Sequence, residues 1–217
     1  MKQRIILALT LLLLLLIQPL PGAITKTTSI VEVDAWQALS AATLAVGNNH
    51  DISASYQTKV YLEIAYTDAQ AQAGVDVLVE ISYADDDWVL LRRFTTTGDT
   101  PATTTINDAT ANAGDPSITL TDATTGDFDV PARKWFIVDG TVANSESVKT
   151  VVNAVHTVTL AQDLIRSHAD SLNVWDFVFE KVIAIPMAAA QVRVLINNTD
   201  ADADIHWTTR VSKVTGI

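Results

Sequence analysis

The chain has 217 residues and no cysteine, and this absence excludes two kinds of structure. Without thiols the protein forms no disulfide framework and no zinc site with thiolate ligands. A domain of this size can rely on its hydrophobic core, because the fraction of surface buried on folding rises with chain length. Stability must therefore come from burial, or from packing against further copies of the chain.

Basic residues are scarce: 14 Lys and Arg stand against 25 Asp and Glu, a formal net charge of -11. Twenty of the acids are Asp, which is typical of turns and exposed loops. Nucleic acids and anionic membrane surfaces are bound through Lys and Arg, so we expect neither as a partner. An acidic surface attracts divalent cations instead.

The long apolar run of the sequence lies at the N terminus. Residues 1–4 are a short basic start, 5–17 carry no charge, and Pro19 and Pro21 follow. This layout is typical of a secretory signal peptide, here residues 1–23 with cleavage near Ala23. The run is shorter than the roughly 18 to 20 residues of a membrane span, so we predict no stable span after cleavage. The mature chain is expected to be secreted, extracellular or at a cell surface, with 12 basic and 25 acidic residues.

Strict alternation of apolar and polar residues is the dominant pattern. It runs through residues 60–66, 75–82, 191–196 and 205–211, with turn-forming residues between them. Alternation over such lengths predicts half-buried strands, with the first two as neighbours. The predicted fold is all-β: an antiparallel, jelly-roll-like β-sandwich with a small β-barrel-like insert, preceded by the signal peptide.

Composition divides the mature chain further. Residues 24–34 form an extended N-terminal arm, 35–100 and 174–217 the discontinuous sandwich, 101–114 a linker loop, and 115–173 the small β insert. A short helix over 34–46 is an alternative to strand and turn, because Trp36, Leu39 and Val46 have roughly helical spacing. Residues 162–169 suit one helical turn, and 175–185 are predicted as one strand.

No catalytic motif stands out. The sequence has neither a G-x-S-x-G elbow nor a phosphate-binding glycine loop, and His50, His156, His168 and His206 lack zinc-site spacing. Glu63 and Glu80 could supply paired carboxylates for glycoside hydrolysis, but any acidic sheet face offers such a pair. We therefore predict that the protein is not an enzyme.

Two acidic clusters are the candidate metal ligands. Asp85, Asp86 and Asp87 precede Trp88, and the other cluster places aspartates at alternate positions: Asp200, Asp202 and Asp204. Oxygens in such an arrangement suit Ca²⁺, the one cofactor we consider, although neither cluster has the glycine and glutamate of an EF-hand loop. The alternative, which we favour for both clusters, is a solvated hairpin tip. Asn197 opens an N-x-[ST] sequon, which matters only in a host that glycosylates secreted proteins.

The five tryptophans favour core positions, because three of them sit inside alternating strands. They are Trp36, Trp88, Trp135, Trp175 and Trp207. Exposed rings would instead stack on sugars and indicate a glycan as partner.

Four phrases together resemble a known group of sequences. They are 60–82 running into Asp87-Trp88-Val89, then 136–140 with 145–148, then 158–168, and finally 193–199. The set resembles uncharacterised β-rich structural proteins of phage-like and environmental origin, of the virion- or surface-assembly type. The resemblance implies a structural role and transfers no site residues. The leader is a departure, because virion proteins assembled in the cytoplasm need no export.

These observations together predict a secreted, non-enzymatic structural subunit that forms a homopolymer. It would build an extracellular filament, sheath or surface layer, with the arm of residues 24–34 adding a strand to a neighbouring copy. The alternatives are a secreted carbohydrate-binding or adhesive module and a virion-type capsid or tail protein.

Overall fold

The computed structural model describes residues 26–70, 73–84, 87–98, 100–109, 111–122, 128, 134–154 and 156–216. Within these ranges the protein is all β, with fifteen strands and a 3₁₀ turn at Val142–Asn144. The predicted fold class is confirmed. No helix in the described residues is long and apolar enough to cross a membrane. The predicted signal peptide, residues 1–23, lies outside the described residues.

Two antiparallel sheets form the main sandwich. Sheet A has the spatial order β1 (Lys26–Leu39), β15 (Ile205–Gly216), β4 (Gln57–Tyr66), β13 (Val178–Ile185). Sheet B has the order β2 (Leu44–Val46), β14 (Gln191–Asn197), β5 (Asp76–Ser82), β6 (Trp88–Thr95), and β3 (His50–Asp51) also pairs with β14.

The core of the sandwich lies between the two sheets, where the alternating aliphatic residues meet. Leu62 and Ile64 of β4 are fully buried in one cluster with Val77 and Val79 of β5. Trp207 of β15 belongs to the same cluster. Burying each aliphatic side chain contributes roughly 1.5–3 kcal/mol, so this layer supplies most of the stability of the sandwich.

A third sheet forms a small barrel. Its order is β7 (Thr103–Thr105), β12 (Asn173–Trp175), β9 (Lys134–Ile137), β10 (Glu146–Ala154), β11 (Thr157–Leu160), β8 (Ser117–Thr119). The outer strands meet, because the Thr121 N–H donates to the Thr105 carbonyl at 2.9 Å and Ile106 bridges Leu120. The sheet curls around its own buried cluster, with Trp135 inside it.

The pairing of β4 with β5 expected from the sequence is wrong. The structure places β4 in sheet A and β5 in sheet B, so the connection crosses the sandwich. The crossing is held where the Tyr66 hydroxyl donates to the Thr97 carbonyl at 3.0 Å and the Val75 N–H donates to Thr96 Oγ1 at 2.9 Å. Alternation shows which side of a strand is buried, but it does not show to which sheet the strand belongs, because both sheets bury one side in the same core.

The strand-and-turn alternative for residues 34–46 is confirmed, because they contain the end of β1 and all of β2. Other segments differ from expectation, and residues 162–169 form no helical turn. The predicted linker 101–114 contains β7, because Thr104 and Ile106 are buried in the barrel. The strand predicted over 175–185 is divided into β12 and β13. The division falls at Asp176, whose carboxylate accepts the Ala102 N–H at 2.9 Å.

Candidate functional site

The barrel packs on the outer face of sheet A and creates an apolar junction there. Trp36 of β1, Ala65 of β4, Val178 of β13 and Phe136 of β9 form one buried cluster. The rings of Trp36 and Phe136 lie 4.3 Å apart between centroids, and His206 of β15 lies 5.3 Å from Phe136. The protein therefore has three layers, with sheet A in the middle.

A buried carboxylate crosses this junction. Glu63 on β4 lies 2.5 Å from Lys134 Nζ of β9 and also pairs with Arg210 of β15. Ser147 Oγ of β10 donates to its other oxygen at 2.6 Å. A buried charge is tolerated only when it is paired and hydrogen-bonded, and all of these partners are present. Glu63 therefore fastens the barrel to the sandwich.

A cleft of about 130 Å³ opens beside this pair. Glu63 and Glu146 both line it. Glu146 accepts the Ile165 N–H at 3.1 Å, and its other oxygen lies 3.0 Å from His168 Nε2. The carboxylates of Glu63 and Glu146 are thus engaged by the protein itself. The exposed Glu32 also lines the cleft. The cleft offers polar contacts to a ligand, but Glu63 and Glu146 are used in holding the fold.

His168 is buried between two carboxylates. Its Nε2 faces Glu146, and its Nδ1 lies 3.6 Å from Asp139 Oδ2. The backbone of His168 bridges Ala111 of the barrel, so the histidine fixes the chain that follows β11. In the sequence, His168 stands out only by its spacing to the other histidines. Asp139 and Glu146 lie more than 20 residues before His168 in the chain, so only a search for His and acid residues at long separations could have suggested this group of three.

The acidic cluster of residues 200–204 shapes the turn between β14 and β15. The Asp200 carboxylate accepts N–H groups from Ala73 at 2.7 Å, Asp202 at 3.0 Å and Ala203 at 3.1 Å. These backbone hydrogen bonds, with that of Asp202 foremost, lower the pKa of Asp200. Asp204 accepts the Ala41 N–H at 2.9 Å.

The other acidic cluster is partly outside the described residues, since these include Asp87 but not Asp85 or Asp86. Asp87 is exposed in the turn before β6. Among the described side chains, no group of three or more His, Asp or Glu is arranged to hold a metal ion. The calcium site stays a prediction.

The structure does not bring together the carboxylates considered for glycoside hydrolysis. Glu63 lies on the outer face of sheet A, and Glu80 lies on sheet B with Arg193 Nε donating to it at 2.8 Å.

Four tryptophans are buried: Trp36, Trp135, Trp175 and Trp207. Trp88 is half-buried, and the Arg193 guanidinium lies over its ring at 4.1 Å. Because the guanidinium covers one face of the Trp88 ring, the ring is poorly suited to stacking on a sugar.

The outer face of sheet B carries an aliphatic band. Val46, Leu195 and Leu78 oppose one another across three neighbouring strands. Leu44 of β2, opposite Asn197, and Leu90 of β6, opposite Glu80, lie on the same face and complete the band. Leu44 and Val46 are each 56% exposed, and Leu90 is 50% exposed. Exposed aliphatic side chains gathered on one face mark interaction surfaces.

No protein-family model matches the chain, and no curated protein matches it. Among solved structures it is similar to a chain of the infectious bursal disease virus Gx strain, at 10% identity and a TM-score of 0.24, covering 92% of this chain and 84% of that one. A chain of the Gt strain gives 10% identity and a TM-score of 0.23, with the same coverage of 92% and 84%. VP17, a capsid protein of bacteriophage P23-77, is 8% identical with a TM-score of 0.19, covering 89% of this chain and 99% of VP17. These weakly similar structures are viral, but similarity at this level supports no conclusion about function.

Proposed function

We propose that this protein is a non-enzymatic structural subunit that assembles with copies of itself. The aliphatic band on sheet B is the observation that carries the proposal. An antiparallel sheet with one solvated face normally alternates apolar inward and polar outward residues. Leu78 and Leu195 depart from this rule, because they face outward between buried neighbours. Outward leucines at opposed positions of two neighbouring strands suit a sheet that is covered at that point.

The setting proposed for the assembly is outside the cell, as a filament, sheath or surface layer. The leader-like residues 1–23 support export. The acidic mature chain, with 12 basic and 25 acidic residues, repels its own copies at long range. An apolar contact surface offsets this repulsion, and salt that screens the charges should promote assembly.

Residues 26–34 of the predicted arm find a partner within the same chain. They form the first part of β1 and pair with β15 along the edge of sheet A. Exchanging this strand with another copy, in place of that copy's own β1, would require it to leave β15. Contact through the band needs no such exchange, and we therefore place the main interface on sheet B.

The test compares two exposed valines. Val46→Lys puts a charge into the band, whereas Val182→Lys puts the same charge on the outer face of sheet A, at a valine that is 52% exposed. We expect electron microscopy and light scattering to show assemblies with wild type and Val182→Lys, and none with Val46→Lys. Thermal unfolding of each variant checks that both remain folded. Assembly by Val46→Lys as efficient as that of wild type would refute the proposal.

A further inference from the structure

One edge of sheet A is open over seven residues. β1 pairs with β15 on one side, and Lys26–Glu32 are all exposed. Among the described residues, no backbone hydrogen bond outside the β1–β15 ladder reaches this stretch. An edge strand with unpaired N–H and C=O groups is a template for pairing with another strand.

The open stretch ends at a defined point. The Asn48 side chain donates to the Val33 carbonyl at 3.2 Å, and the Asn48 N–H donates to Asp34 Oδ1 at 2.9 Å. The β1–β15 register also shifts between Glu32 and Asp34. Residues 26–32 are therefore available for pairing, and the turn that carries Asn48 covers the edge beyond them.

The sequence of the open stretch is complementary to itself in the antiparallel direction. It reads Lys-Thr-Thr-Ser-Ile-Val-Glu, with Ser29 at its centre. Two copies paired about Ser29 place Lys26 opposite Glu32 at both ends. In the same register each β-branched residue meets another: Thr27 opposite Val31 and Thr28 opposite Ile30. Opposite charges and β-branched residues in directly opposed positions stabilise antiparallel pairs.

We infer that two copies of this chain pair β1 with β1 across a two-fold axis at Ser29, which joins their A sheets into one eight-stranded sheet. The inference rests on the proposed function and names one of its interfaces. It shields Ile30, which is 65% exposed in the single chain. Glu32 already opposes Arg210 within its own chain, so the pairing sets this acid between two cations.

The two interfaces have different consequences for assembly. A two-fold contact uses the same patch on both partners, so the β1 contact alone yields a closed dimer. The aliphatic band lies on the other sheet and remains free in that dimer. Contacts through both surfaces would extend the dimer into an open chain of copies.

Cysteine cross-linking tests the register, because the native chain has no cysteine. Directly opposed residues have Cα atoms about 4.5–5.5 Å apart, within the range of a disulfide. We expect Ser29→Cys in the full-length chain to give a disulfide dimer on oxidation. Thr27→Cys is the matched control, since its two copies would lie about 14 Å apart along the paired strands. A mixture of Thr27→Cys and Val31→Cys should cross-link.

Charge variants test the same register in solution. In Lys26→Glu and in Glu32→Lys, each end of the paired strands carries two like charges. We expect each variant alone to dimerise about ten-fold more weakly in analytical ultracentrifugation. Mixed together, they restore two opposite pairs and should form a heterodimer. The association should weaken in high salt, because the pairs are exposed.

The outcomes separate this interface from the proposed function. Equal cross-linking of Ser29→Cys and Thr27→Cys, or none by Ser29→Cys while wild type assembles, would overturn the β1 pairing. The self-assembling function stands if Val46→Lys still abolishes those assemblies. A wild-type chain that stays monomeric at every concentration would overturn both.

Discussion

Lys134 Nζ of the barrel lies 2.5 Å from Glu63 Oε1 of sheet A, although 71 residues separate them in the chain. The same ammonium group reaches Glu180 Oε2 of β13 at 2.9 Å. One lysine of the barrel therefore bridges two adjacent strands of the sandwich. The two ion pairs of Lys134 differ in burial, because the Glu63 carboxylate is buried and the Glu180 carboxylate is exposed.

Replacing the buried carboxylate of Glu63 should lower the stability of the protein. Glu63→Gln leaves Lys134 and Arg210 without their shared negative charge in a partly buried site. We expect a loss of about 2 kcal/mol in the free energy of unfolding, typical of hydrogen bonds to charged groups. Urea unfolding, followed by tryptophan fluorescence, measures this change.

The control for Glu63→Gln is Glu180→Gln, which removes the exposed ion pair between Glu180 and Lys134. The hydrogen bond from Lys134 lowers the pKa of Glu180, so the pair does interact. The Glu180 side chain is 63% exposed, and exposed ion pairs contribute at most about 1 kcal/mol. A loss as large as that of Glu63→Gln would contradict the assignment of Glu63 as the main fastening.

Acid should weaken the fold through His206. Burial lowers the pKa of this histidine to about 4, below its usual value near 6.5. The unfolded chain then binds more protons between these pH values, so the stability that neutral His206 confers is present above pH 6.5 and lost as the pH falls toward 4. We expect the free energy of unfolding to fall by up to about 3 kcal/mol over this window.

Paired variants isolate the histidine in that experiment. His206→Gln should flatten the fall between pH 6.5 and 4, whereas His156→Gln replaces an exposed histidine and should leave it unchanged. Carboxyls whose pKa is lowered, among them Asp51 and Asp76, lose their contribution at lower pH. An unchanged slope in His206→Gln would show that another group titrates.

Asp200 should stabilise its turn without metal. Asp200→Ala removes the acceptor of three backbone N–H groups, and we expect a loss of about 1 kcal/mol. Asp202→Ala, at an exposed neighbour, should change stability by less than about 0.5 kcal/mol. Thermal unfolding in calcium and in EDTA distinguishes the two roles. An equal loss in both buffers supports the turn, and a loss confined to calcium supports the predicted ion site.

Local pattern predicted the strands well where one side is buried. The alternation of Val60, Leu62 and Ile64 reports the inner side of β4, and that of Val192 and Val194 reports β14. Burial on one side leaves a period of two in the sequence, and this period is independent of the neighbouring strand. The all-β class followed from such segments.

Pairing and the barrel junction could not be derived in the same way. The partners of Glu63 lie on β9, β10 and β15, and no spacing in the sequence links these strands. The composition of residues 101–114, rich in Thr, Ala and Asn, predicted a linker, but Thr104 and Ile106 are buried. Short barrel strands have too few residues to show a period, so tertiary packing decides their structure.

The chain passes from the sandwich into the barrel and back through neighbouring strands. Thr103 of β7 opposes Trp175 of β12, and Asp176 clasps Ala102 at the same point. Because the chain enters and leaves the barrel at adjacent points, the number of residues in the barrel does not affect the spacing of the sandwich strands. The sandwich can therefore act as a constant platform on which an inserted module of different size or surface is exchanged, and copies built on one platform could display different modules.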